Sequence, residues 1–415
     1  MRWPCILPRC LVALLLVSAS LLSTPAQSQV IKPKPLARSA KAVRPFVGYH
    51  RYRGTVGSQP VTVELTIGPA AANDAQVVCE GNYHYDHRPA GQLLLHGARP
   101  FQPRRALVLA ETEGATSARQ ATGRWQAVQA AGPVLTGQWR SPAGKQLPFS
   151  LREDYTDGQG RLMAVQYEVI EETARVPCRD ERQEDETKAE YRQRLAQVEH
   201  GHRQPFLHLL GSDTLRPALQ ALQCPAPAQR RRQVRAAARE DNGCTFHTAS
   251  LSVDYNGYGL LAWSEYWEDD FINGARPQHG MEARVYDLRT GQELNLGNVF
   301  RPGTDTLLQR LITYHILHDD NPDIWLKPGV AIPAHPVLAP LPGREFTLAA
   351  SGLEFCYYTD ELTGLQEFID GGAILGTVPV PYAELLPLLR PGSPLARMLR
   401  ERGLWHQPAL VGPKR

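Results

Sequence analysis

Neither sign of charge dominates this chain. Forty-five basic residues stand against 42 acidic ones in 415, a formal net charge of +3. A nearly neutral protein has no long-range basic field with which to collect nucleic acid, so nucleic-acid binding is not expected. Long hydrophobic runs are also scarce. The one candidate, Leu11 to Leu22, falls short of the ~20 residues of a membrane-spanning helix, and no second stretch approaches that length. The motifs G-x-S-x-G, H-E-x-x-H, C-x-x-C and the P-loop do not occur, which removes the familiar nucleophile-elbow, zincin, redox and nucleotide signatures. Cysteine is sparse too, with seven in the chain.

What the chain does have begins with an export signal. Arg2 and Arg9 supply a positive n-region, Leu11 to Leu22 a short apolar core, and Ala26-Gln27-Ser28 small residues for cleavage. Cys10 follows Pro8-Arg9 and not a small apolar lipobox, so a lipoprotein is not expected. Residues 1–28 therefore read as a signal peptide and 29–45 as a basic, Pro-containing linker. The mature chain carries about +1, is soluble without stable membrane insertion, and resides in the periplasm or outside the cell. Five cysteines remain there, an odd number that allows at most two disulfides. Cys224 and Cys244 bracket a short Arg-rich segment and are the expected pair. Cys79 and Cys356 sit in the strand-like runs VVCEG and LEFCYY and read as buried small hydrophobes.

Two globular parts follow from the periodicity. In 46–155, Val61, Val63, Leu65 and Ile67 alternate with Thr62, Glu64 and Thr66, and similar runs recur between Gly- and Pro-containing turns. Period two without a helix signal predicts an all-β antiparallel barrel or sandwich, with Trp125 and Trp139 in its core. In 161–405, strands mix with helices. The charge-interleaved run after Cys178 predicts a solvated helix, Thr214–Leu222 and Ala228–Arg239 two more, and Thr304–His318 an amphipathic one with Leu307, Leu308, Leu311, Ile312 and Ile316 on its apolar side. The second part is predicted to be α+β with an antiparallel sheet, and the chain α+β overall.

The run from Ala249 to Phe300 resembles the extracytoplasmic domain of unknown function found in the anti-sigma-V factor RsiV and in PdaC-type peptidoglycan deacetylases. The residues that carry the resemblance are Gly274-Ala275 with His279-Gly280, Asp287-Leu288-Arg289-Thr290-Gly291-Gln292, Asn298-Val299-Phe300, Gly352-Leu353-Glu354-Phe355, Gly371-Gly372 and Val380-Pro381-Tyr382-Ala383-Glu384-Leu385. They span roughly 161–400, with the Gly-Ala-His turn stretched to Gly-Ala-Arg-Pro-Gln-His. The first part is similar to small all-β bacterial envelope domains. The resemblance implies binding of an envelope-associated protein or glycan, with a lysozyme-like muramidase as one specific ligand.

Several clusters invite chemistry. His84, Asp86 and His87 are the tightest metal-like group but lack a fourth ligand, and Asp86 suits the end of a polar hairpin. His315 and His318, followed by Asp319, Asp320 and Asp323, lack the alternation of a calcium loop and suit a helix C-terminus. Gly257, Gly259 and Ala262 fit G-x-G-x-x-A, but strand-like residues follow where a dinucleotide site needs a helix. Five arginines between Arg230 and Arg239 read as a wet helix face. No metal and no cofactor is expected. The strongest candidate is the strand bearing Trp263, Glu265, Trp267 and Asp269, which period two places on one face. Glu268, Asp270 and His279 complete the candidate ligand-binding set. Aromatic faces stack on sugar rings, and paired carboxylates hydrolyse glycosides. The expected function is non-enzymatic binding in the envelope; the alternative is a hydrolase acting on cell-wall glycan or peptide.

Protein recovered from an envelope fraction should have lost its first residues to cleavage near Ser28. Intact-mass measurement checks this, and a mass that retains Met1 to Ala26 would refute it.

Overall fold

The computed structural model describes residues 48–69, 77–87, 93–97, 105–113, 121–128, 132–156, 164–177, 185–197, 201–210, 222–241, 244–271, 277–318, 327, 336–342, 346–358, 361–362, 365, 368 and 375–405. All of them belong to one compact unit, Arg44–Arg415. The expected signal peptide and linker lie outside the described residues, as do Cys178, most of the 214–222 helix, Gly274-Ala275, Gly371-Gly372 and the acids from Asp319 to Asp323.

Eight antiparallel strands in sequence order form a closed barrel: β1 (Gly48–Val56), β2 (Gln59–Pro69), β3 (Val77–Tyr85), β4 (Leu93–Gly97), β5 (Val108–Glu113), β6 (Ala121–Ala127), β7 (Val134–Arg140) and β8 (Gln146–Glu153), with β8 returning to pair with β1. Closure removes the edges that an open sheet would expose. Alternation sends Tyr52, Val56, Val61, Val63, Leu65, Ile67, Tyr83, Leu95, Trp125 and Phe149 inward. They leave only about 10 Å³ of interior space, so the barrel is a packed core and not a ligand cavity. One buried carboxylate sits among them. Glu111 accepts from Tyr83 OH (2.9 Å), Trp125 Nε1 (2.8 Å), Trp139 Nε1 (2.6 Å) and Thr122 Oγ1 (2.9 Å), so its oxygens are satisfied without a cation.

A six-stranded sheet follows, in the order β14-β13-β12-β11-β10-β9. Its members are β9 (Gln166–Ala174), then after helix α1 (Lys188–Gln197) β10 (Gly201–Leu210), then after helix α2 (Pro227–Glu240) β11 (Thr245–Gly257), β12 (Leu260–Phe271), β13 (Gln278–Asp287) and β14 (Gln292–Glu293). The expectation of a purely antiparallel sheet needs correction. β10 and β11 run parallel, because the chain between them crosses over through α2, as parallel neighbours require. Their pairing is brief, Gly201 to Arg203 against Phe246 to Thr248. The β11–β12 hairpin turns at Tyr258-Gly259, both with positive φ (53° and 77°), as a two-residue hairpin turn demands. The G-x-G-x-x-A match is thus the end of a hairpin.

The chain ends with α3 (Leu296–Val299), α4 (Asp305–His318), a three-stranded sheet of β15 (Phe346–Leu348), β16 (Gly352–Tyr358) and β17 (Leu375–Pro381), then α5 (Tyr382–Leu385) and α6 (Pro394–Glu401). The largest core lies here. Leu308, Ile312 and Ile316 of α4 pack with Leu260, Val285, Phe346, Phe355, Val380 and Leu399, whereas Leu307 remains exposed. Helix α6 has local signals that period-reading passed over: Ser393 Oγ accepts from Ala396 N, and Pro394 occupies the first turn.

The expected Cys224–Cys244 disulfide does not form. The fourteen-residue α2 separates the two, and about 1.5 Å of rise per residue places its ends near 20 Å apart, far beyond the ~7 Å limit between bridged Cα atoms. Cys224 is a thiol outside any disulfide, and Cys244 is bonded elsewhere. Cys79 and Cys356 are buried thiols.

The outer face of β1–β3 is polar yet buried, because the second part of the chain covers it. Tyr49 stacks on Tyr167 with centroids 4.1 Å apart, and Arg51 is fully buried with Nη1 donating to Asp154 O at 2.9 Å. His84 and Asp86 belong to this face. Asp86 accepts from Thr62 Oγ1 at 2.7 Å and lies 3.5 Å from Arg53, and His87 Nδ1 meets Arg402 O at 3.1 Å. This cluster is an interface and not a metal site. Burial raises the Glu64 carboxyl from 4.5 to about 7, with Arg51 opposite it and a hydrogen bond with Tyr49 acting the other way. A raised folded-state value means that the native chain holds a proton the unfolded chain releases. The stability this contributes is complete below pH 4.5 and is lost as pH rises through about 7. Thermal unfolding midpoints of wild type should therefore fall relative to Glu64→Gln across that window; parallel profiles for the two proteins would refute the assignment.

Candidate functional site

Register along three strands builds the site. Cross-strand neighbours line up as Val253–Trp263–Arg284, Leu251–Glu265–Glu282, Ala249–Trp267–Gly280 and His247–Asp269–Gln278, one residue each from β11, β12 and β13. Directly opposed residues share a face, so Trp263, Glu265, Trp267 and Asp269 occupy one side of the sheet. Over this face lies an open cleft of about 520 Å³. Trp263, Tyr286, Glu265, Glu282 and Arg284 line its sheet side. Where β10 no longer pairs with β11, Gln204 to Leu207 line another, and among the described residues Leu222 to Pro225 with Gln233, Val234 and Ala237 of α2 line a third.

The aromatic floor is ordered by packing. Trp263 stacks on Tyr286 with centroids 5.0 Å apart and planes 5° from parallel. Trp267 is half-buried and lies against the backbone of Gly280, where a Cβ would overlap its indole. Beside it runs a polar chain. His247 Nδ1 donates to Asp269 at 2.6 Å, and its ring stacks on His202 at 4.2 Å. His202 Nε2 lies 3.2 Å from Gln204 Oε1, and Gln204 Nε2 donates to Glu265. Burial, then the neighbouring His247, lowers the His202 imidazole below its ordinary value. Burial raises Glu265, with the Gln204 hydrogen bond opposing and the Glu282 charge adding to it. Glu282 is exposed and pairs with Arg284 at 2.9 Å. The Cys224 thiol lies 3.4 Å from Arg230 Nη1, raised by burial with Arg230 opposing.

The seven residues expected at the site do not all meet. Trp263 and Glu265 line the cleft, and Trp267 and Asp269 share its face. Glu268 and His279 pair with each other across β12 and β13 on the reverse face, 3.9 Å apart, where Tyr266 OH also meets His279 Nδ1 at 2.7 Å. Asp270 shares their parity along β12 and is exposed. The four carboxylates of the expected set, Glu265, Glu268, Asp269 and Asp270, are split, because adjacent strand residues point to opposite sides. Sequence reasoning missed His202, Gln204, His247, Glu282, Arg284 and Tyr286. The alternation Glu282, Arg284, Tyr286 was available as a signal; which strand pairs with β12, and in which register, was not.

No family model matches the sequence, and no curated protein matches it. Solved structures do. Its structural neighbours are DUF3298 proteins. One, a member of that family from Bacteroides fragilis, is 13% identical, covers 57% of this chain and 98% of its own, and has a TM-score of 0.39. Another, from Pseudomonas aeruginosa, is 14% identical, covers 55% of this chain and 95% of its own, and has a TM-score of 0.31. The name denotes a domain of unknown function. Neither neighbour is described as an anti-sigma factor or a deacetylase. Among the described residues no group of three His, Cys, Asp or Glu could hold a metal ion, and no helix is long and apolar enough to cross a membrane.

The Gly280 contact generates a test. In Gly280→Ala the added methyl should lift the Trp267 indole off the sheet, at a cost of about 1–3 kcal/mol. Tryptophan emission should shift to longer wavelength while the chain stays folded. An unchanged spectrum with unchanged stability would show that the ring does not rest there.

Proposed function

We propose that this protein is exported and binds, without processing it, an envelope ligand that carries sugar rings or peptide groups, in the cleft over β10–β13. The observation that supports this reading most is the cleft's composition. Its volume falls within the range of ligand sites. Its floor is the Trp263–Tyr286 stack, and its rim is Gln204, Glu265, Glu282 and Arg284. Aromatic faces take the C–H side of a pyranose. Carboxylate, amide and guanidinium take hydroxyls and amides with directional hydrogen bonds. The Trp267 indole extends the apolar strip along the same face.

Glycoside hydrolysis is the second reading, and one observation favours it. Glu265 and Glu282 are directly opposed across neighbouring strands, one with a raised carboxyl and the other ion-paired to Arg284. That contrast is how an acid and an ionised partner divide their roles.

Calorimetric titration of the full mature chain with soluble peptidoglycan fragments separates the readings, with lysozyme as the protein arm that the sequence resemblance implies. Binding should be saturable and weaken at least about tenfold in Tyr286→Ala and in Glu265→Gln, with no new reducing ends formed. Release of reducing ends that Glu265→Gln abolishes would overturn the binding reading in favour of hydrolysis. Absence of heat with every ligand at millimolar concentration would overturn both.

A further inference from the structure

Helix α2 carries a feature that the first cleft does not use. Arg230, Arg231, Arg232, Arg235 and Arg239 lie along it against a single acid, Glu240. Arg230 turns inward and is buried. Its Nε meets Glu172 at 3.1 Å, and its Nη1 donates to Pro225 O at 2.8 Å. Arg231, Arg232 and Arg235 are exposed and, with Arg175 just past the end of β9, line a separate cleft of about 480 Å³. Thr173, Ala174 and Ala228 are its other lining residues among those described. Among the described residues these are small side chains. Glu171 and Glu172, the acids at this end of β9, are engaged by Arg203 and Arg230.

We propose that this second cleft binds an anion bearing two or more phosphate groups. Arg231 and Arg235 stand one helical turn apart on the same face, where like charges repel unless an anion lies between them. The guanidinium is a planar fork of five donors that matches phosphate oxygens in pairs and never deprotonates. Arg175, just past the end of β9, also lines the cleft. A single phosphate engages one or two of these forks; a chain of phosphates spans the set. The site is independent of the ligand in the first cleft.

The test uses the full mature chain with inorganic tripolyphosphate and inorganic monophosphate in calorimetry. Tripolyphosphate should bind one to one and more tightly than monophosphate. The double variant Arg231→Ala with Arg235→Ala should lose at least about tenfold in affinity, and Arg231→Lys an intermediate amount, because a lysine keeps the charge and loses the fork. Alanine favours helix at both exposed positions, so folding is retained. The control, Arg140→Ala with Arg152→Ala, removes the same charge from exposed barrel positions and should bind as wild type does. Sedimentation with phosphatidylglycerol vesicles distinguishes the source: capture that depends on Arg231 and Arg235 assigns the phosphate to a lipid headgroup, and tripolyphosphate binding without capture assigns it to a soluble anion. No tripolyphosphate binding at millimolar concentration would overturn the proposal. So would equal loss in the two double variants, which would mean diffuse charge and no built site.

Discussion

One side chain holds the barrel, the start of β9 and the β11 strand in register. Asn256 is buried at 1% exposure; its Oδ1 accepts from Val165 N at 3.0 Å, and its Nδ2 donates to Val165 O at 2.6 Å and to Tyr49 OH at 3.0 Å. A buried polar group left without a partner costs ~1–3 kcal/mol. Loss of this amide would strand the N–H and C=O of Val165 together and remove one of the hydrogen bonds of Tyr49, a large share of a net stability of ~5–15 kcal/mol. Tyr49 in turn packs with Tyr167, Leu207, Leu209, Leu261 and Trp263. The barrel thus braces the strand that supplies the cleft floor, and the distance in sequence between Tyr49 and Trp263 is closed by one hydrogen-bonded hub.

The barrel strands were legible because each carries the period of a half-buried strand. The same alternation misled in one respect. Thr62 and Glu64 look like the solvent side of β2, yet both are buried under the second part of the chain. Period two tells which residues share a face and is silent on what covers that face. Glu111 shows the converse. A charged residue in a core position reads as an irregularity until Trp125, Trp139 and Tyr83 are seen to converge on it from other strands. In the second part, the helices α2 and α4 followed from composition and period, while the parallel β10–β11 pair did not. Strand order is a long-range property, and only the crossover through α2 hints at it.

The same distinction governs the cleft. That Trp263, Glu265, Trp267 and Asp269 share a side follows from spacing alone. What they face does not. Glu282 and Arg284 come to lie beside Glu265 and Trp263 through the β12–β13 register, and Gln204 reaches Glu265 because β10 leaves its pairing with β11 after three residues. The His202–His247 stack marks that departure, sitting on the paired His202 and His247 positions themselves. A short parallel pairing therefore does two things. It fixes the polar chain from Asp269 to Glu265, and it leaves the next residues of β10 without a partner on β11, so that their side chains line a cavity.

Helix α2 is the wall that both clefts share. Gln233, Val234 and Ala237 line the first, and Arg231, Arg232 and Arg235 line the second. Arg230 lies between them, with its Nη1 near the Cys224 thiol of the first cleft and its Nε on Glu172 of β9. A near-zero net charge excluded a global basic field, and that exclusion stands as an argument about long range. It carries no information about how charge is arranged over a few ångströms. The screening length at physiological ionic strength is about 8 Å, so an anion at the surface responds to the guanidinium groups within that radius and not to the sum over the chain. A neutral total is compatible with a strongly positive cleft wherever acids are tied up elsewhere, as Glu171 and Glu172 are by Arg203 and Arg230. Local charge has to be read from which side chains the fold brings together, and here β9 and α2 bring four arginines to one opening.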